Sequence, residues 1–499
     1  MTDKSFYEEN EKKIPMGRVR TRFAPSPTGY MHIGNLRTAL YTYFIARNMK
    51  GDFILRIEDT DRQRLVSDAV DIIYETLEIC GLECDESPLI GGPVGPYVQS
   101  ERKEIYGKYA ELLIEKGFAY RCFCEKIEPE ENYDEHDEKS FERTEDPCRN
   151  LSREESERLV LEGREHVVRQ RIEPVGSTKV FDEIFGEIEV PNEELDEQVL
   201  IKRDGLPTYN FANVVDDHLM GISHVVRGTE YLSSAPKYNL LYKAFGWELP
   251  KYVHCPPVMR DAQNKLSKRR GDPSFQDLLE KGFIPEAVVN YCAFLGWSPG
   301  GEREIYSLEE LCEIFKISGI SKSPSIFDIE KLKWMNSEYL RNMSLEKFLE
   351  YAEPYIRQAV KNPNVELLKI AAILRKRTEV LTEIPGKLGF IDELPDYDIE
   401  FYTNKKSKTN PEVSLQMLHE CKKLIADIEE WNEESIKENL ISRAMELGVK
   451  NATLMWPLRI AVSGELVTPG GAVEICDILG KEECLKRIGH GIDILSKEA

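Results

Sequence analysis

At 499 residues the chain is longer than one hydrophobic core usually sustains, so several domains are expected. Its composition, 41% hydrophobic and 31% charged, is that of an ordinary water-soluble globular protein, and no apolar run approaches the roughly 20 residues that cross a bilayer. The formal net charge of -23 taken alone argues against a polyanionic partner, so any nucleic-acid binding has to rest on local motifs. Met1 to Lys13 is polar and mixed in charge, unlike a secretory signal. The eleven cysteines are scattered and odd in number, which favours reduced thiols in a cytoplasmic setting.

In chain order, Arg18 to Ala24 alternates and predicts a strand. A turn, Pro25-Ser26-Pro27-Thr28-Gly29, follows, then a helix on which Leu36, Leu40, Tyr43, Phe44 and Arg47 recur at helical spacing until Gly51-Asp52 breaks it. Phe53 to Ile57 predicts a buried strand with Glu58-Asp59-Thr60-Asp61 at its C-terminal end. This β-turn-α-β order predicts an α/β fold with a parallel, doubly wound sheet. The texture changes near Gly117: Ile127 to Asp146 is densely acidic, and short strand-like pieces follow at His166–Arg169 and Gln198–Ile201. Residues 117–209 therefore predict an α+β insertion. Sheet texture returns at Ile222–Arg227 and Tyr252–His254, so the sheet is split by its insertion. After about Asp328 the chain is mostly helical in pattern, punctuated by Pro385-Gly386 and Pro469-Gly470-Gly471.

Two segments carry the chemistry as a pair. In Tyr30-Met31-His32-Ile33-Gly34-Asn35, the preceding prolines stiffen a turn, a helix N-terminus favours anions, and Gly34 allows close approach of a purine or phosphate. His32 is placed to donate to a phosphate oxygen as charge develops. Alone, a His-X-Gly reads as a turn with a chance histidine; the strand before it, the helix after it and a distant basic loop reverse that preference. That loop, Lys265-Leu266-Ser267-Lys268-Arg269-Arg270, holds four cations in six residues and suits a leaving pyrophosphate, though alone it reads equally as a solvated basic loop.

The two segments resemble the HIGH and KMSKS motifs of class I aminoacyl-tRNA synthetases. More narrowly, the chain resembles bacterial-type glutamyl-tRNA synthetases, through Arg22 to Gly29, Arg56-Ile57-Glu58-Asp59-Thr60-Asp61, Gly95 to Ser100, Pro207 to His218, Gly296 to Pro299, Lys333 to Asn336 and Pro457-Leu458-Arg459. The resemblance covers about residues 18–490. It implies a split Rossmann-type catalytic domain (18–116 and 210–262), an inserted domain for the tRNA acceptor end (117–209), a stem-contact region with the basic loop (263–340) and an all-α anticodon-binding region (341–499). It further implies ATP-dependent formation of glutamyl-adenylate, transfer to the terminal adenosine of tRNA(Glu), Mg²⁺ accompanying ATP, activation only with tRNA present, and a cytoplasmic monomer. By the same resemblance Arg22 and Arg227 receive the substrate's side-chain carboxylate with Tyr209 assisting. Ser26 and Asn213 place the amino acid, and Glu58 binds its ammonium. His32, Gly34, Glu230, Lys265 and Lys268 serve ATP, with His32 and Lys268 catalytic.

Some relatives bind zinc through Cys-X-Cys and Cys-X-His. Here Cys122-Phe123-Cys124 and Cys148-Arg149-Asn150 lack the histidine, Tyr133 and His136 lack the spacing, and no zinc is expected. A glutaminyl enzyme would carry Pro-Pro-Glu-Pro-Asn-Gly at the first turn and an all-β C-terminal region. A tRNA-queuosine glutamylase would end near residue 300. A small-molecule nucleotidyltransferase would not need the helical C-terminus, and a silent RNA-binding relative would be expected to lose His32, Glu58 or Lys268. Arg375, Lys376 and Arg377 are candidate anticodon contacts, or ordinary solvated helix positions. Met1 to Pro15 precedes the matched region and receives no role.

Overall fold

Past a first helix, α1 (Lys4–Lys13), the alternating segment forms strand β1 (Arg20–Phe23), but all four of its residues are buried. Alternation of charge on a strand ordinarily marks one wet face; here Arg20 is buried and bonded to Asp52 and Glu86 at 2.7 and 2.9 Å. Helix α2 (Ile33–Asn48) follows, then strand β2 (Asp52–Leu55). Gly51 is obligatory at that junction: a Cβ there would lie 2.1 Å from the Val19 carbonyl oxygen.

The structure, a computed structural model, describes residues 4–15, 17–27, 30–60, 66, 68–124, 146–266 and 271–498. They divide into two units, Met1–Leu278 with Val288–Asp328 and Leu279–Ala287 with Ile329–Ala499. In the first unit the remaining elements run α3 (Ala69–Ile79), α4 (Lys103–Glu115), β3 (Ala119–Cys122), α5 (Arg153–Leu161), β4 (Val167–Gln170), β5 (Ser177–Asp182), β6 (Gly186–Pro191), β7 (Val199–Ile201), α6 (Tyr209–Leu219), β8 (His224–Gly228), α7 (Ala235–Phe245) and β9 (Lys251–Cys255).

The main sheet has the order β2-β1-β8-β9-β5-β6, parallel except for β6 at the edge. The split sheet read from the sequence is present, with β1 and β2 from before the insertion and β8 and β9 from after it. The expected limits of that insertion, 117–209, do not coincide with a separate body. β3, β4 and β7 make their own antiparallel sheet, whereas β5 and β6 extend the main one. Val180 on β5 is buried and Asp182 pairs in register with Tyr252 of β9, which draws this hairpin to the main sheet. The unassigned N-terminal segment is docked: Tyr7 Oη donates to the Lys108 carbonyl on α4 at 2.8 Å, and Glu11 pairs with His218 of α6 at 2.9 Å.

The second unit is helical, as read from about Asp328 onward, and its core includes Phe348, Ile370, Leu418, Leu440, Leu458 and Ile488. Among the described residues no helix is long and apolar enough to cross a membrane. Arg487 is 2% exposed and spans the core. Its Nη1 donates to the carbonyls of Phe390 and Val462 (both 2.7 Å), Nη2 to that of Ile391 (3.0 Å), and Nε to Glu483 (2.8 Å). Arg487→Met leaves these acceptors buried without a donor. It should lower the unfolding free energy of the helical unit by about 3–5 kcal/mol, read from guanidinium-induced loss of helical circular dichroism.

Candidate active site

The parallel strands of the first unit place their C-terminal ends around one cleft of about 450 Å³. Arg22, Ser26, His32, Gly34, Glu58, Tyr209, Arg227, Glu230 and Lys265 all line it. Asn213 does not: it is buried one turn along α6, where its Nδ2 donates to the Tyr209 carbonyl at 2.8 Å. Ser267, Lys268, Arg269, Arg270, Tyr133 and His136 lie outside the described residues. The base of the basic loop is described. Leu266 donates its N–H to the Val258 carbonyl at 3.2 Å, Arg260 pairs with Asp272 at 2.7 Å, and both Lys265 and Leu266 face the cleft. Sequence-distant His32 and Lys265 thus line one cleft.

His32 is the N-cap of α2, and its Nδ1 accepts the Gly34 N–H at 3.1 Å. An accepting Nδ1 carries no proton. Burial holds the ring below its ordinary pKa of 6.5 against the nearby Asp272 carboxylate, so the neutral ring keeps its proton on Nε2. That Nε2 is buried and has no partner among the described residues, leaving an N–H donor for a ligand.

Beneath the cleft lies a fully enclosed ionic network. Arg56 donates to Asp217 at 2.8 Å and to Glu58 at 2.9 Å, and Arg22 donates to the same Asp217 oxygen at 2.9 Å. Arg102, Tyr106 and Gln99 bind Asp216 at 2.7, 2.8 and 2.9 Å. The two arginines hold Asp217 below the usual carboxylate range despite burial, while burial pushes Glu58 up in spite of Arg56 and Arg22. Four guanidiniums, Arg22, Arg56, Arg102 and Arg227, face three carboxylates, Glu58, Asp216 and Asp217. Arg227 is left without an ion-pair partner among the described residues. It packs on the rings of Tyr238 (4.5 Å), Tyr231 (5.5 Å) and Tyr252 (5.9 Å), and its Nε and Nη1 are buried and unpaired. Glu58 Oε2 is likewise buried without a donor. The cleft therefore offers an unpaired anion acceptor and an unpaired cation site in one enclosure.

Sequence reasoning missed Arg56, Asp216, Asp217, Gln99, Arg102 and Tyr231. Their signal was available as charges inside an apolar strand (Arg56) and on the buried face of a helix (Asp216, Asp217). In the second unit, half-buried Arg375 donates to the Met343 carbonyl at 2.6 Å, while Lys376 and Arg377 are exposed.

A second cluster forms where β3 ends. Cys122, Cys124, Cys148 and Asp146 bring their ligand atoms within 4.8 Å of one another. The fourth donor that the missing histidine left open is supplied by Asp146, two residues before Cys148 rather than two after it. The thiols are held protonated: burial, the neighbouring thiols and Asp146 push Cys124 up to about 12, and burial and Asp146 raise Cys122. A divalent cation reverses that logic, and three sulfurs with one oxygen in this compass fit a tetrahedral zinc site.

The fold and the cleft define a class I aminoacyl-tRNA synthetase. Residues 18–334 match the family model described as tRNA synthetases class I (E and Q), catalytic domain, and residues 347–492 match an anticodon binding domain. Over 481 residues the chain is 56% identical to the glutamate--tRNA ligase of Clostridium acetobutylicum, covering 96% of this chain and 99% of that one. Over 480 residues it is 58% identical to that of Clostridium botulinum, with the same coverage. A crystal structure of a glutamate tRNA ligase from Elizabethkingia meningosepticum in complex with its amino acid superposes with TM-score 0.84 at 36% identity, covering 96% of this chain and 100% of that one. The chain belongs to the glutamate--tRNA ligase family.

The buried histidines make this unit acid-sensitive. Burial and Lys251 hold His224 down at about 4, and burial lowers His32 and His254 too. The unfolded chain protonates near 6.5 and the folded one only below that, so stability present above pH 6.5 is lost as pH falls toward 4. Glu58, raised by burial, acts in the opposite sense. The melting temperature of this unit should drop by roughly 5 °C between pH 6.5 and 5, and His224→Gln should flatten that slope.

Proposed function

We propose that the cleft joins glutamate to ATP as glutamyl-adenylate and then passes the glutamyl group to the 3′-terminal adenosine of tRNA(Glu). The observation that carries this reading is the pair of buried residues with unsatisfied atoms, Glu58 and Arg227. Glu58 Oε2 awaits a cation, and the Nε and Nη1 of Arg227 await a carboxylate. An amino acid with an acidic side chain supplies both: its ammonium goes to Glu58 and its side-chain carboxylate to Arg227, with Arg22 held behind by Asp217 and Tyr209 beside it. Ser26 lines the same wall, and Asn213 acts by holding Tyr209. Glutamine would leave the Arg227 charge uncompensated in a buried site, so the neutral amide is rejected by the desolvation it cannot repay.

In the first step an oxygen of the glutamate α-carboxylate attacks the α-phosphorus, the bond to the bridging oxygen of the β-phosphate breaks, and pyrophosphate leaves. ATP enters as its Mg²⁺ complex. The Nε2–H of His32 meets a phosphate oxygen as its charge grows, Gly34 admits the nucleotide against the helix N-terminus, and Glu230 meets the ribose or adenine. Lys265 and Lys268 take the charge of the departing pyrophosphate. In the second step a hydroxyl of the terminal adenosine attacks the acyl carbon, the adenylate leaves, and its phosphate accepts the hydroxyl proton. Residues 117–209 would receive the acceptor end, 263–340 the stem and 341–499 the anticodon, with a monomer as the cytoplasmic active species. His32→Ala should slow glutamate-dependent ATP–pyrophosphate exchange by about 10²–10³-fold, assayed with tRNA(Glu) present, with the glutamate KM within about twofold. A much weaker glutamate affinity with an intact chemical rate would count against the role, and exchange with a different amino acid would remove the reading itself.

Zinc at Cys122, Cys124, Cys148 and Asp146 would be structural, pinning the two flanks of residues 125–145 to the end of β3; no step passes through it. Protein purified without added metal should carry about one zinc per chain by elemental analysis. Cys148→Ser and Asp146→Ala should each lose it, while wild-type protein free of metal would refute the site.

A further inference from the structure

One buried dyad beside the cleft has no part in the chemistry above. Three neighbouring parallel strands, β8, β9 and β5, each bring a charged or titratable side chain to the same end of the sheet: Arg227, His254 and Asp182. Arg227 and His254 are in-register partners on β8 and β9, so their side chains leave the sheet on the same face. That shared face is also marked by Tyr252, whose ring lies 5.9 Å from the Arg227 guanidinium and 5.9 Å from the His254 ring.

Asp182 is saturated and fixed. Its Oδ1 accepts the N–H groups of Ile184 (2.9 Å) and Phe185 (2.8 Å), and its Oδ2 accepts the His254 N–H (3.0 Å) and meets His254 Nδ1 at 2.8 Å. A carboxylate only accepts, so Nδ1 carries the proton. Burial keeps the ring neutral although Asp182 opposes it. Nε2 is therefore a bare lone pair. It is fully enclosed and has no donor among the described residues. The charged groups that act on this ring are Asp182, Arg227 and Glu230. Arg227 is the one of these that holds buried N–H groups, Nε and Nη1, without acceptors.

An apolar ring would pack beside Asp182 at lower cost than one that leaves Nε2 unmet, and the in-register strand partner Arg227 leaves Nε and Nη1 unmet on the same face. We propose that His254, oriented by Asp182, is a positioning residue for Arg227. Its Nε2 takes one guanidinium N–H, directly or through one buried water, and so turns the remaining donors toward the substrate's side-chain carboxylate. This rests on Arg227 as the receiver of that carboxylate. The row Asp182–His254–Arg227 then acts as a lever: the carboxylate fixes the tautomer, the tautomer fixes the acceptor, and the acceptor fixes the fork of the arginine.

The test is steady-state aminoacylation of tRNA(Glu) by the full-length chain, with Tm recorded for every variant. His254→Leu should raise the glutamate KM about tenfold, with kcat and the ATP KM within about twofold. His254→Gln, which retains an acceptor, should recover most of that loss. Asp182→Asn keeps the Oδ1 turn bonds but offers Nδ1 a donor, moving the ring proton to Nε2 and facing Arg227 with another donor; it should raise the glutamate KM, and because it also takes the acceptor from the His254 backbone N–H it should lower Tm as well. A merely structural pair would lower Tm and leave the glutamate KM of folded variants unchanged, and that result overturns the proposal. If His254→Leu does not fold, Asp182→Asn and His254→Gln decide by the same criterion. Arg227→Gln separates the two readings. If it leaves the glutamate KM unchanged, the carboxylate assignment fails. If it raises KM while the His254 and Asp182 variants do not, only the positioning role fails.

Discussion

Asp217 is the interaction on which the catalytic unit depends. Its one carboxylate oxygen is bound by Arg22 from β1 and by Arg56 just beyond β2, at 2.9 and 2.8 Å. Asp217 itself sits on α6, which the chain reaches only after the whole insertion. The bond therefore ties β1 and β2 to a helix 161 residues beyond Arg56 in the chain. Burying such charges costs several kcal/mol per ion, and the attraction among them returns that cost only when the geometry is complete. The cluster is better understood as fixing where Glu58 and Arg22 stand than as a source of net stability.

Two buried arginines, Arg487 and Arg227, show what distinguishes structure from function. Arg487 in the helical unit has its donors spent on three carbonyls and a glutamate. Arg227 has Nε and Nη1 unspent among the described residues, and it packs on the rings of Tyr231, Tyr238 and Tyr252. A folded chain tolerates a buried unpaired cation only where its neighbours hold it in place, as the rings of Tyr231, Tyr238 and Tyr252 hold Arg227. The Asp182–His254 pair is polar and incomplete too, since the carboxylate is saturated while His254 Nε2 has no donor among the described residues.

Much of this was legible in the chain. The strand, turn and helix from Arg18 to Asn48 follow from alternation, two prolines and helical spacing, and the split sheet follows from the return of β-branched runs at Ile222 and Tyr252. The lining of the cleft was legible too, since nine of the residues singled out in the sequence line it. What was not legible was pairing. Alternating arginines read as a half-wet strand, yet Arg20 and Arg22 are enclosed because acids from β2, α6 and the segment around Glu86 surround them. The β5–β6 hairpin read as part of the insertion, since strand partners are chosen by register with β9 and not by nearness in sequence. Asp146 was invisible as a cysteine partner because it stands on the side of Cys148 opposite to the expected ligand.

The amino-acid order by itself determined the family, the order of α/β and helical segments, and most of the residues that line the cleft, because local spacing and composition encode these without reference to distant residues. Only the tertiary structure decided which charges neutralise one another and which are left over. Coulombic pairing and burial are properties of distance through space, and Arg22 and Asp217 lie on either side of the insertion while sharing one hydrogen bond.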